Sequence, residues 1–169
     1  DGCFLAAGEM KRFRHQDMGH LEKVLKAIPV ERGCLIVVDG VYSMEGDIAN
    51  LPEILPLAHA YGAKVMVDDA HAIGVIGRGG RGTASYWAEQ GRISEGDVDI
   101  ITGTFSKSWA SLGGYCACSH EVMHYLRHVS RSLIFSASMP PSTVAAVDRS
   151  IDIMLAEPER IKRLWEVTE

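Results

Sequence analysis

The sequence predicts an α/β domain: a mostly parallel sheet with flanking helices. Three observations predict it. Short, continuous apolar runs alternate with segments in which apolar residues recur at i, i+3, i+4 and i+7. Polar residues gather immediately after the apolar runs, at 39–43, 68–71, 104–107 and 136–138. The chain has 169 residues, 47% hydrophobic and 23% charged, enough for one ordinary domain with its own core.

The elements follow in order. "MGHLEKVLKAI" puts Leu21, Val24, Leu25 and Ile28 on one face of a helix. "CLIVVDG" is a short apolar run ending in Asp39 and Gly40, the pattern of a buried parallel strand. "LPEILPLAHAYG" returns to helical spacing with Ile54, Leu57, Ala58 and Tyr61. Asn50 is placed to cap it, Pro52 suits the first turn and Gly62 the stop, while Pro56 predicts a distorted start. "AKVMVDDAH", "VDIITGTFS" and "GGYCACS" read as the second, third and fourth strands. Ser119 caps a helix whose buried face is Tyr125, Leu126 and Val129, with Val122. "SLIFSAS" reads as a fifth strand. Pro141 opens a helix with Val144, Val147 and Ile151 on one face, and a last helix follows Pro158. There is no internal repeat, linker or low-complexity tract.

Composition excludes several classes. A net charge of -5 argues against a nucleic-acid surface, which needs a basic stripe. No apolar run approaches the length of a membrane span, and no signal peptide is visible, so a cytoplasmic location is expected. The four cysteines form no C-x-x-C pair and are expected to be reduced thiols rather than a disulfide or zinc framework. The chain starts at Asp1 without methionine and reads as a segment of a longer protein.

The chemistry centres on "GTFSKSWASLGG" (103–114), a lysine among small and hydroxyl residues directly after an apolar run. Backbone donors in such a turn suit a phosphate. A phosphate-loop NTPase needs G-x-x-x-x-G-K-[ST], but here Ser106 precedes Lys107 and the first glycine is missing. A lysine that forms a Schiff base with an aldehyde cofactor fits better than a solvated surface lysine. Upstream, "VMVDDAH" ends a strand in Asp68, Asp69 and His71. An NTPase could use such a box to hold magnesium, but no phosphate loop precedes it. Under the pyridoxal phosphate reading, Asp68 pairs with the ring nitrogen and keeps it protonated, and His71 donates to the phenolate oxygen or stands beside the aldehyde carbon. His120, His124 and His128 share a helix face, but no carboxylate or cysteine completes a metal shell, so no metal is expected. "GVIGRGGRG" (74–82) lacks G-x-G-x-x-G with a following helix and reads as a flexible loop near a substrate entrance.

Four stretches, "DGVYSMEGDIANLPEI", "VDDAHAIGVIGRGGRG", "GTFSKSWASLGGY" and "IFSASMPPS", occur in the order and rough spacing of the α-oxoamine synthases. The opening "DGCFLAAGEMKRFRHQD" resembles that family's stretch before the cofactor-binding core, so the resemblance spans nearly the whole chain. It implies a fold-type I (aspartate aminotransferase-like) large domain and pyridoxal 5'-phosphate as cofactor. Lys107 resembles the Schiff-base lysine, Asp68 the ring-nitrogen partner and His71 the group near the phenolate oxygen. Ser43 resembles a second contact to that oxygen, and Thr104 and Ser106 resemble phosphate ligands. Ser136 and Ser138 lie where the family sends a hydroxyl to the phosphate of the partner subunit, which implies a homodimer with shared sites.

Members of the family are roughly twice this length. Residues 1–169 are therefore expected to be the central part of the large domain, without its N-terminal part or the small C-terminal domain. The implied partners are an amino acid and an acyl thioester, on CoA or an acyl carrier protein. Lys107 is displaced by the amino acid, the α-proton is removed, and the carbanion attacks the thioester; thiol and carbon dioxide leave. The stretches 103–114 and 126–142 most resemble the serine palmitoyltransferase branch. The alternatives are the 8-amino-7-oxononanoate synthase, 5-aminolevulinate synthase and 2-amino-3-ketobutyrate CoA ligase branches, or a fold-type I aminotransferase.

Overall fold

The computed structural model describes residues 2–6 and 8–168; Asp1 and Ala7 of the opening stretch lie outside them. The strands are β1 (Leu35–Asp39), β2 (Lys64–Asp68), β3 (Ile100–Thr104) and β4 (Gly114–Cys118). The helices are α1 (Gly2–Leu5), α2 (Met18–Lys26), α3 (Leu51–Ala60), α4 (Thr83–Glu89), α5 (His120–Val129), α6 (Arg131–Ile134), α7 (Pro141–Ala156) and α8 (Glu159–Glu166). The sheet order is β1-β2-β3-β4, with the first three strands parallel and β4 antiparallel to β3. The mostly parallel sheet is as the sequence predicts.

Strand burial alternates instead of being continuous. Ile36 and Val38 of β1 pair in register with Val65 and Val67 of β2, and all four are buried. They pack with Leu21 and Leu25 of α2 and Leu51, Ile54 and Ala58 of α3. Burying each such side chain contributes about 1.5–3 kcal/mol. The opposite face, with Val37, Met66 and Ile100, is only half-buried, because the core helices pack against one side of the sheet.

Helix ends follow local chemistry. Asp17 caps α2 by accepting the His20 N–H, and Ser119 caps α5 by accepting from Val122. Asn50 gives α3 no side-chain cap; its amide donates to Glu53 instead. The carbonyl of Asn50 accepts from both Glu53 and Ile54, a tightened first turn, and Pro56 leaves the Pro52 carbonyl without a helical donor. The stop at Gly62 is as predicted. Its φ is +63, and the N–H groups of Gly62 and Ala63 return to His59 and Ala58 in the paired pattern of a left-handed cap.

Three expectations are corrected. The stretch read as a fifth strand forms α6 and then irregular chain, with Leu133, Ile134 and Phe135 all exposed. No neighbouring strand offers it a ladder among the described residues, so local turn bonds to Ser130 and Arg131 prevail. Residues 74–82 are not a loose loop. Gly74 donates to Gly80, Gly82 donates to Ile76, Ile73 bridges Arg81, and α4 follows directly. On α5, Tyr125 and Val129 are exposed, and on α7 only Val147 is buried while Val144 and Ile151 are open.

The carboxylate of Asp69, 1% exposed, joins three segments. It follows β2, its Oδ2 accepts the Thr83 N–H at the start of α4 at 3.0 Å, and it abuts the backbone of Gly40 after β1 and of Gly82. A methyl group on Gly40 would collide with Asp69 Oδ1 and Thr83 Oγ1. Gly40→Ala should therefore destabilise the full-length protein by roughly 1–3 kcal/mol, the cost of overpacking. Gly33→Ala, where a Cβ meets nothing within 4 Å, is the control. Urea midpoints that fall equally in both variants would refute the tight junction.

Candidate active site

The parallel register lines up three polar residues at one sheet edge. Asp39 pairs with Asp68, and Asp68 with Thr102. Gly40 donates to the Asp68 carbonyl at 2.8 Å and Asp69 to the Thr102 carbonyl at 2.7 Å, so the row is fixed by backbone bonds beyond the strand ends. The two adjacent aspartates go to different places. Asp69 is enclosed at the glycine junction, where burial pushes its carboxyl up and contacts with Thr83 pull it back. Asp68 is half-buried at the edge, with Oδ1 accepting the Ala70 N–H at 3.0 Å.

Asp39 belongs to this group although no role was expected for it. Burial, and then the charge of Asp68, push its carboxyl above the usual carboxylate range; His71 and Lys107 act in the opposite direction. Asp39 therefore lies within electrostatic reach of Asp68, His71 and Lys107, which the sequence had selected from separate segments. Its signal was the matching pattern of "LIVVD" and "KVMVD", two strands that end in Asp and pair in register. Thr102 was also missed. Its hydroxyl is buried without a partner beside Asp68.

Lys107 sits in a turn closed by its own backbone. Phe105 donates to the Gly113 carbonyl at 3.0 Å, Ser111 to Phe105 at 2.8 Å and Ala110 to Lys107 at 3.0 Å. Trp109 is buried, whereas Lys107 and Ser106 are exposed. The Thr104 hydroxyl lies 2.8 Å from that of Ser106 and donates to the Gly113 carbonyl at 3.2 Å. His71 is half-buried in the turn after β2, whose Ala72 and Ile73 N–H groups both return to Asp69.

The remaining sequence candidates are more peripheral. Ser43 is exposed in the turn after β1, which is held by Gly46 donating to Tyr42 and Tyr42 to Asp47. Ser136 and Ser138 are exposed in the irregular chain after α6 rather than at a strand end. That chain is nevertheless tethered to the lysine turn: Met139 packs on Gly113, and the Ser111 hydroxyl donates to Thr143 at 3.1 Å. His120, His124 and His128 do line one face of α5, with ring centroids 6.4 and 4.4 Å apart along the row. No group of three metal-capable side chains forms among the described residues. All four cysteines are free thiols, and no helix is long and apolar enough to cross a membrane among the described residues.

The donor set fits pyridoxal phosphate. Asp68 is a carboxylate for a protonated ring nitrogen, Lys107 an exposed amine for an aldehyde, and Thr104 and Ser106 a paired set of hydroxyls for a phosphate. The unpartnered Thr102 hydroxyl adds a polar atom beside Asp68 that the chain itself leaves unsatisfied.

Residues 1–169 match the aminotransferase class I and II family. A serine palmitoyltransferase of Sphingobacterium spiritivorum is 48% identical over 168 residues, covering 99% of this chain and 41% of the relative. The 8-amino-7-oxononanoate synthase 1 of Bacillus velezensis is 50% identical over 168 residues, covering 99% and 42%. The solved serine palmitoyltransferase of Sphingomonas wittichii has a TM-score of 0.89 at 42% identity, over 98% of this chain and 40% of that one. Another solved serine palmitoyltransferase, carrying pyridoxal phosphate, matches with the same score and identity. The chain spans about two fifths of the length of these relatives. It belongs to the aminotransferase class I and II family, with serine palmitoyltransferases and 8-amino-7-oxononanoate synthases, both α-oxoamine synthases, among its close relatives.

Proposed function

We propose that the full-length protein is a pyridoxal phosphate-dependent acyltransferase that condenses an amino acid with an acyl thioester, with loss of carbon dioxide, to give an α-aminoketone. The observation that carries this is the pairing of Asp39 with Asp68 at the carboxyl ends of parallel strands, with the Lys107 turn joined to the His71 turn by the Ser108–Ile73 hydrogen bond; open α/β sheets bind ligands at such strand ends. Residues 1–169 are read as the central part of the large domain, with an N-terminal part and a small C-terminal domain contributed by the rest of the protein.

When bound, the cofactor supplies an electron sink for charge developing at the amino acid's α-carbon. Asp68 would hold the proton on the ring nitrogen. Thr104 and Ser106 would hold the phosphate, and Ser43 and His71 would hold the phenolate oxygen. Lys107 would hold the cofactor through its Nζ, and the same Nζ would take the α-proton of the amino acid. The alternative place for His71 is beside the aldehyde carbon. Ser136 and Ser138 are assigned to the phosphate of a partner subunit in a homodimer.

L-Serine with a long-chain acyl thioester is the favoured substrate pair, on the likeness to serine palmitoyltransferases in sequence and in solved structure. Alanine or glycine with a shorter or dicarboxylic acyl group is the second reading, because an 8-amino-7-oxononanoate synthase is similar to the same degree. Glycine, alanine, serine and threonine, titrated against the cofactor's visible spectrum, order the donors. Tight binding of alanine or glycine but not serine would replace the first reading by the second. Acyl-CoA chains of rising length, followed by thiol release, order the acceptors.

Borohydride reduction of the purified full-length protein should fix the cofactor to the peptide containing Lys107, and a label on any other lysine refutes the assignment. Asp68→Asn should retain cofactor but slow α-proton exchange by roughly 10²-fold or more, the scale of a lost preorganised charge; exchange at the wild-type rate would remove Asp68 from this role. For the shared site, Lys107→Ala chains are mixed with Ser136→Ala/Ser138→Ala chains. A heterodimer in which one chain supplies the lysine and the other the serines should regain activity at one of its two sites. No recovery in a verified heterodimer means that each site is built from one chain.

A further inference from the structure

Ser108 directly follows Lys107, and its hydroxyl donates to the Ile73 carbonyl at 2.8 Å, across 35 residues of sequence. Ile73 lies two residues after His71. Among the described residues this is the one side-chain hydrogen bond that crosses from the lysine turn to the His71 turn. Both sides of it are stiff. The Ile73 N–H returns to Asp69 at 2.9 Å, and the next residue, Gly74, donates to Gly80 at 2.7 Å. On the other side, Ala110 donates to the Lys107 carbonyl, and Trp109 is 6% exposed.

Close approach is built in as well. Gly74 has φ +78, and a Cβ there would stand 2.7 Å from Ser108 Cβ and 3.0 Å from its Oγ. Only glycine both adopts this backbone and lets the two turns meet. The contact extends outward through the glycine-rich segment, where Trp165 of α8 donates to the Val75 carbonyl at 3.0 Å.

We propose that Ser108 is a positioning residue. By pinning the lysine turn onto the His71 turn it sets the direction in which the Lys107 side chain leaves the backbone, and hence where its amine stands relative to His71. The role rests on the reading of Lys107 as the cofactor lysine. A displacement of about 1 Å at such a group is enough to cost a large rate factor. Ser108 itself is exposed on the turn, so its substitution leaves the core intact.

The test compares wild type, Ser108→Ala and Ser108→Thr in the full-length, cofactor-loaded protein. Hydrogen exchange of the 103–114 amides should quicken roughly fivefold in Ser108→Ala, the factor for one net hydrogen bond. The pH at which the bound cofactor's visible absorbance changes should move in the same variant. Ser108→Thr, which keeps the hydroxyl, should restore both. Faster exchange with an unmoved absorbance transition would make the bond structural only and overturn the positioning role. An unchanged Ser108→Ala in both measurements would overturn the contact itself. Borohydride labelling of the same samples separates this from the underlying reading. A label on another lysine in the wild type defeats the Lys107 assignment and the positioning role with it, whereas a label on Lys107 leaves that assignment standing whatever Ser108 does.

Discussion

A buried carboxylate is costly unless its oxygens are met; Asp69 Oδ2 accepts the first N–H of α4, while Oδ1 is buried without a hydrogen-bond partner among the described residues, and the carboxylate presses against two glycine backbones. The sheet edge depends on this arrangement. Asp69 follows Asp68 directly, so enclosing one aspartate leaves its neighbour on the open side of the strand. Gly40 follows Asp39 and donates to the Asp68 carbonyl, so the same junction sets the end of β1 against the end of β2. The start of α4, and through it the glycine-rich segment, is tied to the same point.

A second set of bonds holds the lysine turn in relation to that edge. Its own backbone closes it, its Trp109 is buried, and Ser108 attaches it to the turn carrying His71. Gly113 takes Met139 and Ser111 reaches Thr143, so the stretch between α6 and α7 is bound to the same loop. Two segments far apart in sequence, the His71 turn and the stretch leading into α7, thus attach to one short backbone element. The exposed hydroxyls of Ser136 and Ser138 lie three residues or fewer from its Met139 anchor.

The electrostatics are those of an edge rather than a closed pocket. Asp39 and Asp68 are half-buried acids side by side; burial and then the charge of Asp68 raise the cost of ionising Asp39, with an imidazole and an amine in reach to offset it. A cavity of about 490 Å³ lies elsewhere, between Gln16, Asp47, Asn50, Trp87 and Arg92, and contains none of these residues. The apolar side chains Leu133, Phe135, Leu155 and Trp165 remain open on the C-terminal helices, the kind of surface that a further domain or a second subunit covers.

The sequence by itself determined the alternation of strands and helices and the mostly parallel sheet, and it nominated Asp68, His71, Thr104, Ser106 and Lys107 as candidates. These were legible because apolar periodicity is local and because polar residues after a strand mark its functional end. Tertiary structure decided the rest. Whether "SLIFSAS" becomes a strand depends on a neighbour to pair with, which no local pattern encodes, and without one it turned into α6 and open chain. The partnership of Asp39 with Asp68 exists only through the register of β1 and β2. The order in the glycine-rich segment comes from Asp69, Gly74 and Ser108 meeting across the fold. Close approach between distant backbones is a three-dimensional fact, and in the sequence its only trace is a glycine.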